Sequence, residues 1–300
     1  MAAFSGFLLF IFGTAIGSFL NVLILRYKPE RPLFDWRALS GRSHCPACGR
    51  TLSPAELIPF FSFLFLRGKC GSCRARISLQ YPLVELLTGL AFLGVPLFLN
   101  NFYGVSQELF FSFALAPWHY FLAGLWVFAF VCFIAITAID LKHCIIPDEL
   151  VVMVGVAGAL AAWTLSANEA SLPPYSASFL RHYLLVFAPP WGILALHALG
   201  AFAAGAFFLF LALLTRGRGM GMGDVKFMFA AGLLFGWPDI ALATFFGFIS
   251  GGLLGAALYF LRKKGMKDRI PFGPFLVLGL IGAFFFGYPA LQAYFSLFSL

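Results

Sequence analysis

A chain of 300 residues that is 61% hydrophobic and 11% charged has more apolar surface than a water-soluble domain can hide, so a membrane protein is indicated. The net charge of +8 is informative through its distribution. Ten of the twenty Lys/Arg lie between Arg26 and Arg76 and five more between Arg262 and Arg269, a clustering that fits anionic lipid, nucleic acid or the positive-inside rule.

Residues 4–25 form the first predicted span. Their apolar run is too long for a signal peptide and lacks a basic start and a small-residue cleavage site. Residues 26–81 make the one sizeable unit outside the bilayer, and further spans are expected at 82–99, 117–139, 149–166, 191–215 and 274–298. The apolar stretch 225–261 is broken at Trp237-Pro238-Asp239, and its first arm of 13 residues is only about 20 Å of helix. It is expected to be two short spans or a re-entrant hairpin. The fold class is therefore all-α and polytopic, with about eight transmembrane helices or six plus a hairpin.

Segments 26–81, 140–148, 216–224 and 262–273 then share one face, which with the adjoining helix ends holds nineteen of twenty basic residues. That face is expected to be cytoplasmic and the N-terminus outside. Segments 100–116 and 167–190, carrying Glu108 and Glu169, fall outside. The expected division is 1–25 as first span, 26–81 as a cytoplasmic metal-binding domain and 82–300 as the main membrane domain.

Within 26–81 the sequence reads HCPACGRTLSPAELIPFFSFLFLRGKCGSC. Cys45 and Cys48 form one CxxC and Cys70 and Cys73 a second, with 21 residues between. This spacing suits four thiolates converging on one structural Zn2+. A cytoplasmic setting disfavours disulfides, and four thiolates leave His44 no vacancy. A closed site excludes water, so this zinc is expected to hold a small domain together rather than to catalyse. A basic zinc ribbon could bind nucleic acid. The apolar run at 57–66 argues instead for docking on the bilayer or on the spans.

Three acids lie at cytoplasmic span ends: Asp140, Asp148 and Asp224. Asp148 sits at a helix start, where its charge suits the positive end of the helix dipole, and Asp224 could be an N-cap. Asp140 ends a long apolar helix, where a carboxylate opposes the dipole and marks a candidate functional site. Asp224 reaches the same face, behind a Gly-rich approach that permits close backbone packing. Two carboxylates a few ångströms apart share a proton, so one can act as base toward water and the other as acid toward a carbonyl. His143 has no nucleophile at a recognisable spacing, and Cys132 and Cys144 have no metal-spaced partners.

These residues belong to a series of motifs: GSFLNVLILR (17–26), the CxxC pairs, ISLQYPLVELLTG (77–89), AIDLKHCIIPDEL (138–150), GMGDVK (221–226) and IPFGPFL (270–276). In this order they resemble the bacterial type IV prepilin peptidases, bifunctional leader peptidases and N-methyltransferases of type IV pilus and type II secretion systems. The resemblance implies Asp140 and Asp224 as catalytic aspartates, supported by Gly221, Gly223 and Lys226. It assigns Cys45, Cys48, Cys70 and Cys73 to zinc in the part tied to methylation, with Gly68 and Glu85 as further methyl-transfer candidates. It implies S-adenosylmethionine as methyl donor, although no glycine-rich nucleotide fingerprint locates its site. The implied substrates are prepilins or pseudopilins, cut after the glycine of a short basic leader at the cytoplasmic face of the inner membrane. The bilayer is the other partner, and no nucleic acid is expected. The 84 residues from Asp140 to Asp224 are long for that family, the surplus falling in 167–190.

Two other readings compete. One keeps the peptidase and gives the zinc domain only assembly or docking. The other is a non-enzymatic adaptor or transporter, which predicts a polar track across the bilayer. The acids instead cluster at one face.

Overall fold

The computed structural model describes residues 2–35, 41–104, 117–173, 175–217, 219–261 and 271–298. Glu108, Arg218 and the basic cluster Arg262 to Arg269 lie outside the described residues. Ten α-helices account for most of the rest: α1 (Ala2–Arg26), α2 (Phe61–Phe65), α3 (Gln80–Phe102), α4 (Pro117–His143), α5 (Asp148–Ala167), α6 (Leu184–Phe187), α7 (Ile193–Leu214), α8 (Met222–Phe235), α9 (Asp239–Phe260) and α10 (Gly273–Ser296). No β-strand occurs among the described residues, and two isolated bridges pair His44 with Thr51 and Lys69 with Arg76.

Seven of these helices, α1, α3, α4, α5, α7, α9 and α10, are long and apolar enough to cross a membrane. The eighth, α8, has 14 residues and spans about 21 Å, short of a hydrocarbon core of about 30 Å. The break expected near Trp237 is present, with Gly236 at φ 74° ending α8. Its second arm is a helix of full span length rather than half of a short hairpin. The chain is a multi-pass membrane protein of nearly all-helical fold.

The described residues form two compact units, one up to residue 101 and one comprising 102–104 and the chain from 117 onward. In the first unit α1 and α3 pack antiparallel at very short range. A Cβ on Gly13 would lie 2.7 Å from Phe92 Cβ, one on Gly17 2.7 Å from Glu85 Cα, and one on Gly89 2.8 Å from Thr14. Lipid offers helices no hydrophobic drive to associate, so backbone proximity of this kind supplies the contact through dispersion. The outward face of α1 carries Phe4, Phe7, Phe12 and Phe19, all more than half exposed to the surroundings that lipid would fill.

In the second unit α8 is sandwiched between α5 and α7. Gly158 of α5 would bring a Cβ to 2.6 Å from the Leu234 backbone, and Gly200 of α7 would meet the Gly236 backbone at 2.6 Å. Phe227 and Met228 of α8 are fully buried, which a short helix shielded from lipid on both flanks requires. Trp126, Phe179, Phe235 and Phe284 interlock, with Trp126 at 4.8 Å from Phe284 and 5.1 Å from Phe235. α9 and α10 pair through Gly279, whose added Cβ would collide with the Ala243 carbonyl oxygen. Gly279→Val is expected to cost about 1–3 kcal/mol through overpacking. Thermal unfolding of the detergent-solubilised chain checks this, and an unchanged midpoint would contradict the close α9–α10 contact.

Candidate functional site

The two acids singled out above both lie buried in the second unit. α4 holds Asp140 near its C-terminal end, where it is 4% exposed, and α8 holds Asp224 in its first turn at 8%. Asp140 lies within electrostatic reach of Asp224. At the end of α4 the carboxylate faces the negative end of its own helix, yet its Oδ2 accepts the Gly273 N–H at 2.9 Å. Gly273 is the first residue of α10, so a second helix lends Asp140 its positive end. Asp224 is the third residue of α8 rather than its N-cap, which is Gly221. Its Oδ2 accepts the Gly221 N–H at 3.0 Å.

Each acid therefore spends one oxygen on a backbone N–H at a helix start. Among the described residues the Oδ1 of each has no hydrogen-bond partner, and neither is sealed away from the surface. Gly273 has no substitute at this spot, since a Cβ there would stand 2.6 Å from the Asp140 Oδ2. The Gly-rich approach serves packing in the same way. Gly223 faces Ile146, with 3.4 Å from its would-be Cβ to the Ile146 Cβ.

The turn after α4 carries a second link. The Cys144 N–H donates to the Asp140 carbonyl at 2.8 Å, and the chain then enters α5 at Asp148. Asp148 lies in the first turn of α5, as expected, but makes no capping bond. Both its oxygens accept from the Lys226 Nζ at 2.9 Å. The pair ties the segment following Asp140 to the helix carrying Asp224. Sequence reasoning missed it because helix-start charge already accounted for Asp148.

In the first unit the four cysteines converge. Their sulfurs all lie within 4.8 Å of one another, and Cys45 Sγ stands 3.9 Å from Cys73 Sγ. Four thiolates at about 2.3 Å from a tetrahedral ion are about 3.8 Å apart, so the set fits one metal ion with no place left for water. Each knuckle is a tight loop closed by backbone bonds: the Cys45 N–H donates to the Arg50 carbonyl at 2.9 Å, and the Cys70 N–H to that of Ala75 at 2.8 Å. The residue after each second cysteine is left-handed, Gly49 at φ 69° and Arg74 at φ 59°. Gly71 instead makes room for the Glu56 carboxylate, 2.8 Å from its would-be Cβ. Glu56 pairs with Arg50 and accepts from the Ser53 N–H, which with the Ser53 hydroxyl holds its carboxyl below the usual value. One acid thus connects both knuckles. The Cys73 and Ser72 N–H groups donate to the Cys70 sulfur and pull its thiol down to about 6, toward the thiolate a metal needs.

Gly68 is left-handed at φ 68°, and a Cβ there would lie 2.9 Å from the Phe63 ring, so both conformation and space require glycine. Glu85 is buried in α3 at 7% exposure and accepts the Phe60 N–H at 2.7 Å. A mere helix-start charge at the water face would be exposed, and Glu85 is not. Leu57, Ile58, Leu64 and Phe65 of the apolar run are exposed, Phe65 at 84%. Away from both sites, His197 accounts for itself by bonding through Nδ1 to the Leu233 carbonyl at 2.7 Å. Asp239, fully buried at the start of α9, accepts from the Ser178 hydroxyl at 3.1 Å. Its only trace in the sequence was the Trp-Pro break beside it.

Comparison with known proteins fits this division. Residues 11–99 match the Bacterial Peptidase A24 N-terminal domain, and residues 126–256 match the Type IV leader peptidase family. A Bacillus subtilis protein named prepilin leader peptidase/N-methyltransferase is 32% identical over 284 residues, covering 93% of this chain and 94% of its own length. The chain belongs to the type IV leader peptidase family. Relatives with the same name from Aeromonas hydrophila and Pseudomonas aeruginosa are each 30% identical. They cover 90% and 89% of this chain and 87% and 86% of their own. No solved structure is significantly similar to the chain. The family's two matched regions separate the cysteine tetrad from Asp140 and Asp224.

The Lys226–Asp148 pair has side chains 51% and 67% exposed, so water screens it. Asp148→Asn is expected to cost less than about 1 kcal/mol, lowering the thermal midpoint by at most about 4 °C. A larger drop in a detergent melt would mean the link carries structural weight beyond that of an exposed ion pair.

Proposed function

We propose that this protein cleaves the leader from prepilin-type substrates with Asp140 and Asp224 and methylates the amino terminus so released. The observation that carries the peptidase part is that the two acids, 84 residues apart in sequence, lie buried within electrostatic reach of each other, each with one oxygen on a backbone N–H. That bond fixes each carboxyl group and leaves Oδ1 for chemistry. With one proton shared by the pair, the ionised member takes a proton from water as the water oxygen adds to the scissile carbonyl carbon. The protonated member donates to the carbonyl oxygen. Collapse of the tetrahedral species breaks the C–N bond, and the proton taken from water passes to the leaving amine. Gly221, Gly223 and Gly273 hold the backbone close enough for this geometry, and Lys226 steadies the first turn of α8.

The charge distribution supports a cytoplasmic site and an external N-terminus, and the family and the names of its relatives support prepilins or pseudopilins as substrates presented from the inside of the inner membrane. On this reading 26–81 is a zinc domain serving methyl transfer, with Zn2+ on Cys45, Cys48, Cys70 and Cys73. The ion supplies rigidity by clamping the two knuckles that flank the apolar segment 57–66. S-adenosylmethionine supplies an electrophilic methyl group, and Gly68 and Glu85 shape the region that uses it. The apolar segment is the part of this domain that meets the bilayer.

Asp140→Asn and Asp224→Asn are each expected to lower prepilin cleavage at least about 10²-fold while leaving the chain folded. A purified-substrate assay in detergent checks this, and near-normal cleavage by either variant would sink the dyad. Elemental analysis is expected to find one zinc per chain, lost together with methylation in Cys45→Ser or Cys70→Ser. A methylating, metal-free preparation would refute the role given to the tetrad.

A further inference from the structure

A cavity of about 260 Å³ lies at the C-terminal end of α1. Beyond Arg26 the chain turns back on itself: the Arg31 N–H donates to the Lys28 carbonyl at 3.0 Å, and the Asp35 N–H to that of Pro32 at 3.3 Å. Leu23, Tyr27 and Leu33, all buried, give the cavity its apolar wall. Arg26, Lys28, Arg31 and Asp35 supply its polar lining, three cations against one acid. Arg31 reaches the Asp35 carboxylate at 3.5 Å, and Lys28 has no ion pair among the described residues. Glu30, the other acid of this turn, does not line the cavity.

An excess of two positive charges beside an apolar wall selects an anion with an apolar continuation. The partners of the proposed reaction do not match, because the leader is basic and the methyl donor carries a sulfonium, and like charges repel. The volume also falls below the about 300–1,000 Å³ of pockets that enclose a drug-sized molecule, so a compact anionic group fits. Position decides which. Phe12, Phe19 and Arg26 follow one another at intervals of seven residues, which at about 3.6 residues per turn sets them in one line along α1. Both phenylalanines are exposed on the face that lipid would cover. Phe19 lies about 10 Å below the level of Arg26, less than the thickness of one leaflet of about 15 Å. An acyl chain lying on the two rings therefore brings its headgroup to the cavity.

We propose that this cavity seats the phosphate of an anionic phospholipid between Arg26, Lys28 and Arg31, with an acyl chain along Phe12 and Phe19. Basic pockets at the membrane boundary hold anionic headgroups in this way. Asp35 orients the Arg31 guanidinium and still leaves two cations in excess. The bound lipid fastens the segment through which α1 continues toward the metal region. The assignment needs neither the peptidase nor the methyl-transfer reading in order to hold.

The test is lipid retention by the full chain in detergent micelles, followed by native mass spectrometry during titration with phosphatidylglycerol or with phosphatidylcholine of identical acyl chains. Wild type is expected to hold phosphatidylglycerol about tenfold or more tighter, the worth of two cations near a headgroup. Lys28→Gln alone should lose about fivefold of that preference, and Lys28→Arg should keep it. Lys28→Gln with Arg31→Gln should bring the two affinities within about twofold. Arg42→Gln with Lys142→Gln removes the same charge from exposed positions outside the cavity and should leave the preference within about twofold of wild type. No preference in wild type would overturn the proposal. An equal loss in both double variants would also overturn it, reducing the effect to diffuse attraction by a basic face. Displacement of the bound lipid by equimolar inorganic phosphate would overturn the lipid assignment, since free phosphate would then be the ligand.

Discussion

A carboxylate in an apolar bundle must be held by groups that water would otherwise replace, and the second unit is arranged around that requirement. Asp140 and Asp224 are each held by one backbone N–H at the first turn of a helix, and those two helices are α10 and α8. Backbone donors need no side-chain ordering and cannot titrate, so they fix geometry without adding a competing charge. The helix that supplies Asp140 cannot itself stabilise it. α10 has to arrive with its N-terminus at that point, and glycine has to be its first residue because of the 2.6 Å clearance. The close α9–α10 contact at Gly279 and the burial of α8 between α5 and α7 follow as the packing that delivers both helix starts to one place.

The first unit meets the same requirement differently. Its buried acid, Glu85, is held by the Phe60 N–H, and Phe60 is left-handed at φ 60°. A strained non-glycine residue persists when its surroundings over-determine it, and here the surroundings are one carboxylate and the knuckles on either side. Glu56 performs the matching task within the metal region, reaching from one knuckle to the other across Gly71.

Much of this was legible in the sequence for physical reasons. Span positions follow from apolar length, the cysteine tetrad from metal-ligand spacing, and Asp140 from standing at the unfavourable end of a helix dipole. Long-range partners were less legible. Gly273 lay inside a quoted motif, yet no one-dimensional pattern says that its N–H meets Asp140 from 133 residues away. Asp148 and Lys226 had local explanations as a helix-start charge and a motif lysine, which masked their pairing. The glycines of the two knuckles play different parts. Gly49 supplies a left-handed turn, Gly71 supplies space, and the turn equivalent to Gly49 is made by Arg74.

The hold of Glu85 on Phe60 bears on how the metal region can be handled as a piece of protein. Its apolar run keeps Phe65 at 84% exposure and is anchored by a residue of α3 rather than by the knuckles alone. Cut away from α1 and α3, the region would keep its cysteines but lose that anchor, and its greasy loop would be left in water. Such a fragment would self-associate rather than stay monomeric. The metal region is therefore an outgrowth of two spans, not a transplantable module.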